Sequence, residues 1–151
     1  MTDLVKELFS REQIREVVVR YCRGIDAGDF DAVASCFTED ATLKHGRLDG
    51  TPNDLISFVK RFKGILLNCC HCVGGAVVVL DGDKATCEST FSAYHRIKPD
   101  DTGLSPVPTN GVETDWLVAG RYVDEMICAN GVWRIQKRQG IHNWERIEPA
   151  L

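Results

Sequence analysis

The 151-residue chain, 44% hydrophobic and 26% charged, has enough apolar side chain for a single domain over 1–151 that buries about 70% of its unfolded surface and encloses one pocket. A net charge of -4 without a lysine or arginine cluster excludes nucleic acid and an anionic membrane as main partners. Seven cysteines, odd in number and irregularly spaced, suit a reducing compartment; Met1 to Arg20 reads as a charged amphipathic helix without the apolar run of a signal peptide, so the expected location is the cytoplasm.

In chain order, residues 3 to 9 are expected to form a short leading turn. Ser10-Arg11-Glu12-Gln13 has the form of a capping box, and the main first helix runs from about 11 to 26. Ile14, Val17, Val18, Tyr21 and Ile25 recur at spacings of three and four, the core-facing stripe of an amphipathic helix. Asp26 closes that stripe, at the edge of the buried face rather than on the wet side. A carboxylate there is either exposed in a fraying last turn or paired, because burying it alone is costly.

Gly28 is a stop, and Asp29 caps a short helix over Phe30 to Phe37. Asp40 to His45 alternates as a strand, Gly46 to Gly50 is a turn, and Thr51-Pro52 opens a helix to about Phe62. After Gly64 come four β segments, about 67 to 80, 84 to 98, 111 to 129 and 132 to 147. Asp81-Gly82-Asp83 joins the first pair and Asn130-Gly131 the last, both hairpin signals. Pro99 to Pro108 is a loop whose Pro, Asp, Gly and Ser content predicts mobility or a lid. Helices followed by a curved antiparallel sheet make an α+β arrangement.

Cys69-Cys70-His71-Cys72 offers metal-ligating types, but neighbours on a strand face opposite ways, and no further pair completes four ligands, so no metal is expected. Strand parity groups His71 with Val73, Val77 and Val79, unless Gly74-Gly75 inserts a bulge. It groups His95 with Phe91, Ala93 and Ile97, and Arg138 with Arg134, Gln136, His142 and Trp144. His71 and His95 are thus inward candidates, while Arg138 and His142 gather at one end of the sheet. The long third and fourth β segments, with Trp116, Tyr122, Met126 and Trp133, are expected to offer subunit-contact surface.

Three segments carry a resemblance: Ile25-Asp26-Ala27-Gly28-Asp29-Phe30-Asp31, Cys70-His71-Cys72-Val73-Gly74-Gly75, and Asn130 to Arg138. In this order they resemble the polyketide-cyclase-like (SnoaL-like) branch of the nuclear transport factor 2-like superfamily. Their spacing is also similar to that of scytalone dehydratases and hexachlorocyclohexane dehydrochlorinases. The resemblance implies a cone-shaped, curved antiparallel or mixed β-sheet enclosing a pocket closed by three helices of the N-terminal half. It implies an Asp/His dyad inside the cone, no cofactor, and a homotrimer, with a dimer as alternative.

Residue by residue, the resemblance matches Asp26 and His71 to the dyad, Arg138 to a pocket arginine and His95 to a second catalytic histidine. His45 falls where the dehydratases have a pocket tyrosine, and Tyr21 resembles a tyrosine of bile-acid dehydratases. The expected activity is a lyase, of dehydratase or dehydrohalogenase type, on a small, cyclic, largely apolar substrate. His71 and Asp26 act as base and orienter, His95 or Tyr21 as proton donor, and Arg138 as stabiliser of developing negative charge; Tyr21, His45 and His142 line the substrate. Arg138 is equally an arginine of a subunit ion pair. The alternatives are an isomerase or cyclase acting next to a carbonyl, and a non-catalytic binding or assembly module, including the small subunit of a ring dioxygenase.

Overall fold

The computed structural model describes residues 3–151; Met1 and Thr2, the start of the expected amphipathic segment, lie outside the described residues. Helix α1 spans Asp3–Ala27. The expected break before Ser10 is absent, because Asp3 to Phe9 contain no Gly or Pro and a helix already nucleated propagates through them. Ser10 therefore sits inside the helix. The apolar stripe is as expected, with Ile14, Val17, Val18, Tyr21 and Ile25 all buried. Gly28, at φ +73°, ends it: its N–H donates to the Ile25 carbonyl at 3.3 Å, and the Asp29 N–H donates to that of Gly24 at 2.9 Å.

Helix α2 (Phe30–Ser35) is capped by Asp29, which accepts from the Ala32 N–H at 3.0 Å. Strand β1 (Phe37–His45) turns into the short β2 (Leu48–Gly50), and α3 (Pro52–Phe62) begins with a complete Thr51/Asp54 capping box. Strands β3 (Leu66–Asp81), β4 (Lys84–Ile97), β5 (Thr114–Ala129) and β6 (Val132–Pro149) follow. Among the described residues six strands form one open, mixed sheet in the order β2-β1-β6-β5-β4-β3, in which the β1–β6 pairing is parallel and the others are antiparallel. The helices cover one face, with α1 against β3 and β6. Among the described residues no helix is long and apolar enough to cross a membrane.

Three β-bulges correct the parity expected from the sequence. Between Val73 and Ala76 the β3–β4 register slips, so Val78 faces the core while Val77 and Val79, grouped above with His71, are exposed on the other face. Between Ile135 and Lys137 the extra residue is Gln136, and this turns Arg138 to the side of Trp133 and Ile135. A third bulge takes up Asn143, opposite the Ala119–Gly120 step. Trp116, Tyr122, Met126 and Trp133 do not form an outer contact surface: Tyr122, Met126 and Trp133 are core, and Trp116 lines the cavity. The apolar side chains that do lie open on the sheet include Val77, Val79, Tyr94 and Trp144.

Candidate functional site

A cavity of about 600 Å³ lies between the C-terminal half of α1, α3, the inner sheet face and residues Gly103 to Pro108 of the β4–β5 loop. That loop is held by its own polar groups. Asp100 accepts from the N–H groups of Thr102 (3.1 Å) and Ser105 (2.7 Å), and its own N–H donates to Thr109 Oγ1 at 2.9 Å. Val107 is buried with Phe62 and Ile97. All four histidines of the chain line the cavity.

The α1 stripe and the start of β3 bring Asp26 and His71 together. Asp26 Oδ1 lies 2.6 Å from His71 Nδ1, and Asp26 Oδ2 accepts the main-chain N–H of His71 at 2.8 Å. Burial acts to raise the Asp26 carboxyl, but the hydrogen bonds from the His71 side chain and main chain, and the ring's charge, hold it below its ordinary value. An ionised carboxylate only accepts, so a neutral His71 carries its proton on Nδ1 and keeps a lone pair on Nε2. The His71 side chain is 10% exposed, so that nitrogen works in largely dry surroundings.

His95, one strand over, meets His71 edge to face at 5.5 Å and stacks on Trp116 at 4.6 Å. Its Nδ1 is 3.2 Å from the Trp116 carbonyl, an obligate acceptor, so the neutral ring is protonated there and Nε2 accepts. Burial, reinforced by the charge of His71, pulls His95 down to about 4. Near neutral pH it is thus a hydrogen-bond acceptor, which departs from the proton-donor role expected of it.

The inward parity of Ala41 and Leu43 on β1 carries His45 into the cavity, and the β6 bulges bring His142 against it at 5.1 Å between ring centroids. Burial lowers both imidazoles, His45 to about 3. Among the described residues, His45 Nδ1 and His142 Nε2 are buried without a hydrogen-bond partner. The His45 ring sits where Gly140 has no side chain; a Cβ there would overlap its Nδ1.

Arg138 is not a pocket arginine. It is 1% exposed, forms a bidentate pair with the fully buried Asp124 at 2.7 Å for both bonds, and is absent from the cavity lining. Its guanidinium lies between the rings of Tyr21 (4.2 Å) and Tyr122 (4.3 Å), which braces Tyr21 from behind. Tyr21 itself lines the cavity, with its hydroxyl pushed up to about 12 by burial against the opposing Arg138 charge, so it is a neutral phenol there.

Two polar lining residues beside the dyad had no site role in the sequence analysis. Lys63 Nζ donates to the Asp26 main-chain carbonyl at 2.7 Å, and Cys69 Sγ lies 4.0 Å from both Lys63 Nζ and that carbonyl. Burial pushes the Cys69 thiol up to about 11, which keeps it protonated. A lysine after a helical stripe reads as an ordinary helix-end cation, and only the meeting of α3 with the end of α1 brings it to the dyad. Cys70 and Cys72 are exposed, away from Cys69 and His71.

Residues 6–139 match the family model described as a SnoaL-like domain. No curated protein matches the chain. Among solved structures, hexachlorocyclohexane dehydrochlorinase LinA-type3 from Novosphingobium barchaimii is similar at 18% identity, covering 99% of this chain and 97% of that one, with a TM-score of 0.81. A candidate scytalone dehydratase from Novosphingobium aromaticivorans aligns at 16% identity, over 93% and 88% of the two chains, with a TM-score of 0.76. A protein of unknown function from Mycobacterium tuberculosis aligns at 22% identity, over 95% and 77%, with a TM-score of 0.72. These likenesses show the fold.

Proposed function

This chain belongs to the SnoaL-like family, and on that premise we propose that it is a lyase that needs no cofactor, eliminating water or halide from a small, cyclic, largely apolar molecule. The observation that carries the proposal is the Asp26–His71 pair, short, half-buried and open to a cavity large enough for a ring system. His71 Nε2 takes a proton from carbon, the C–H electron pair becomes the new double bond, and the leaving group departs with its own bonding pair. Asp26 holds the tautomer and stabilises the imidazolium that forms. Tyr21 donates to a departing hydroxyl, while His95 orients a substrate hydroxyl by accepting from it. Phe91 and Trp116 supply the apolar wall.

The test is a panel of hydroxylated and halogenated cyclic compounds, scored for loss of water or halide. Asp26→Asn and His71→Gln are expected to lower turnover by about a hundred-fold or more, the usual contribution of a positioned base. Turnover within a few-fold of the parent in both variants refutes the dyad. A second reading, proton transfer next to a carbonyl, is favoured by the Tyr21 phenol, a donor suited to an enolate oxygen. Deuterium incorporation from heavy water without loss of any group would select it. We also propose a homotrimer, with a dimer as alternative, on the strength of the exposed Val77, Val79, Tyr94 and Trp144; a monomer by light scattering at micromolar concentration refutes both.

A further inference from the structure

Beside the dyad the cavity wall carries a cation that has no counter-ion among the described residues. Lys63 spends one ammonium proton on the Asp26 carbonyl, 2.7 Å away, and among the described residues it enters no ion pair. A Cβ added at Gly28 would meet the Lys63 stem at 3.5–3.6 Å, so the stem passes beside the glycine that ends α1. A second N–H faces the weak acceptor Cys69 Sγ at 4.0 Å, which leaves one N–H free for a ligand and a second that a stronger acceptor can take over. The Asp26 carboxylate is already engaged by the ring and the main chain of His71.

The other charged or basic groups of the cavity are not equivalent. Arg138, outside the lining, is committed to Asp124; of the charged lining residues, Arg47 is exposed on the turn between β1 and β2, and Glu145 is exposed on β6, where it accepts from Trp116 Nε1 at 3.2 Å. The cavity sides of His45 and His95 are occupied by imidazoles kept neutral by burial. A half-buried ammonium with unused donors is best satisfied by an anionic oxygen. Removal of a carbon-bound proton by His71 creates negative charge on a substrate held in the cavity that Lys63 also lines.

Resting on the base role of His71 given above, we propose that Lys63 forms an oxyanion subsite and that the cavity takes ligands of enolate or phenolate type, with the oxygen on Lys63. The probe is 4-nitrophenol, whose ionised form absorbs visible light, bound to the full chain and titrated with pH. The expected result is that the bound phenol ionises at least about one unit below the free phenol, a tenfold preference for the anion. Lys63→Met abolishes the lowering and Lys63→Arg retains it. Lys63→Gln, which can still donate to the Asp26 carbonyl, behaves as Lys63→Met does and stands in if that variant does not fold by circular dichroism.

His71→Gln separates the subsite from the dyad. Lowering that persists there but vanishes in Lys63→Met and Lys63→Gln supports the subsite. Lowering that vanishes in His71→Gln and survives loss of the Lys63 charge means that the phenol protonates the imidazole; the subsite is then overturned while the base role of His71 stands. No binding at millimolar probe, or no lowering in the parent, overturns the subsite, and the base role is then judged by the elimination assay alone.

Discussion

Acid should destabilise this protein through His95. The ring is 9% exposed and titrates at about 4, against an ordinary 6.5 in the unfolded chain. Below pH 6.5 the unfolded state binds a proton that the native state refuses until about pH 4. The stabilisation is therefore complete above 6.5, falls away as the pH drops from 6.5 to about 4, and is flat below. At about 1.4 kcal/mol per unit, this single group removes about 2 kcal/mol by pH 5. The assay is urea unfolding of the parent and of His95→Gln at about pH 7.5 and pH 5, with the m-value monitored for two-state behaviour. His45 and His142 are shifted in the same direction and act in both proteins, so only the difference between them reports on His95. The parent should lose about 2 kcal/mol more than the variant over this interval. Equal losses would mean that the native ring titrates as the unfolded one does, which refutes the lowering of His95 by burial.

Three further perturbations probe the scaffold. Asp124→Ala strands the Arg138 guanidinium without its partner and should cost about 3–5 kcal/mol by denaturant unfolding, with loss of Tyr21 order; a change below 1 kcal/mol would show the pair to be solvated. In Gly120→Ala the new Cβ lands on the Ile141 carbonyl oxygen, so the β5–β6 bulge must open, and a drop in melting temperature of several degrees is expected; an unchanged one contradicts this packing. Gly140→Ala drives the His45 ring out of its slot, and should alter the His45 and His142 NMR resonances while leaving those of His71 in place.

Local chemistry made most of the architecture legible. The α1 stripe, the Thr51 cap, the Asn130-Gly131 hairpin and the inward parity of His95 are decided by near neighbours, and each is found in the structure. What escaped lies downstream of single inserted residues. Gln136 has no feature that marks it as a bulge, yet it reverses the parity from there to the next bulge at Asn143 and turns Arg138 to the face of Trp133 and Ile135, where it is buried. The Gly74-Gly75 bulge was legible as an alternative, because glycine is the residue that permits one, but the choice between the two phases depends on the pairing with β4. Lys63 was hidden for another reason: its importance arises from the Asp26 carbonyl in the last turn of α1, 37 positions earlier.

Asp26 grips β3 twice, and the two grips have different requirements. The bond to the ring needs an imidazole, whereas the bond to the main-chain N–H is available from nearly any residue at position 71. The aspartate therefore doubles as a tie between helix and strand. In a descendant released from selection for turnover, the imidazole should drift first and the aspartate persist for its mechanical duty. Aspartate without histidine would be the fossil of an abandoned active site.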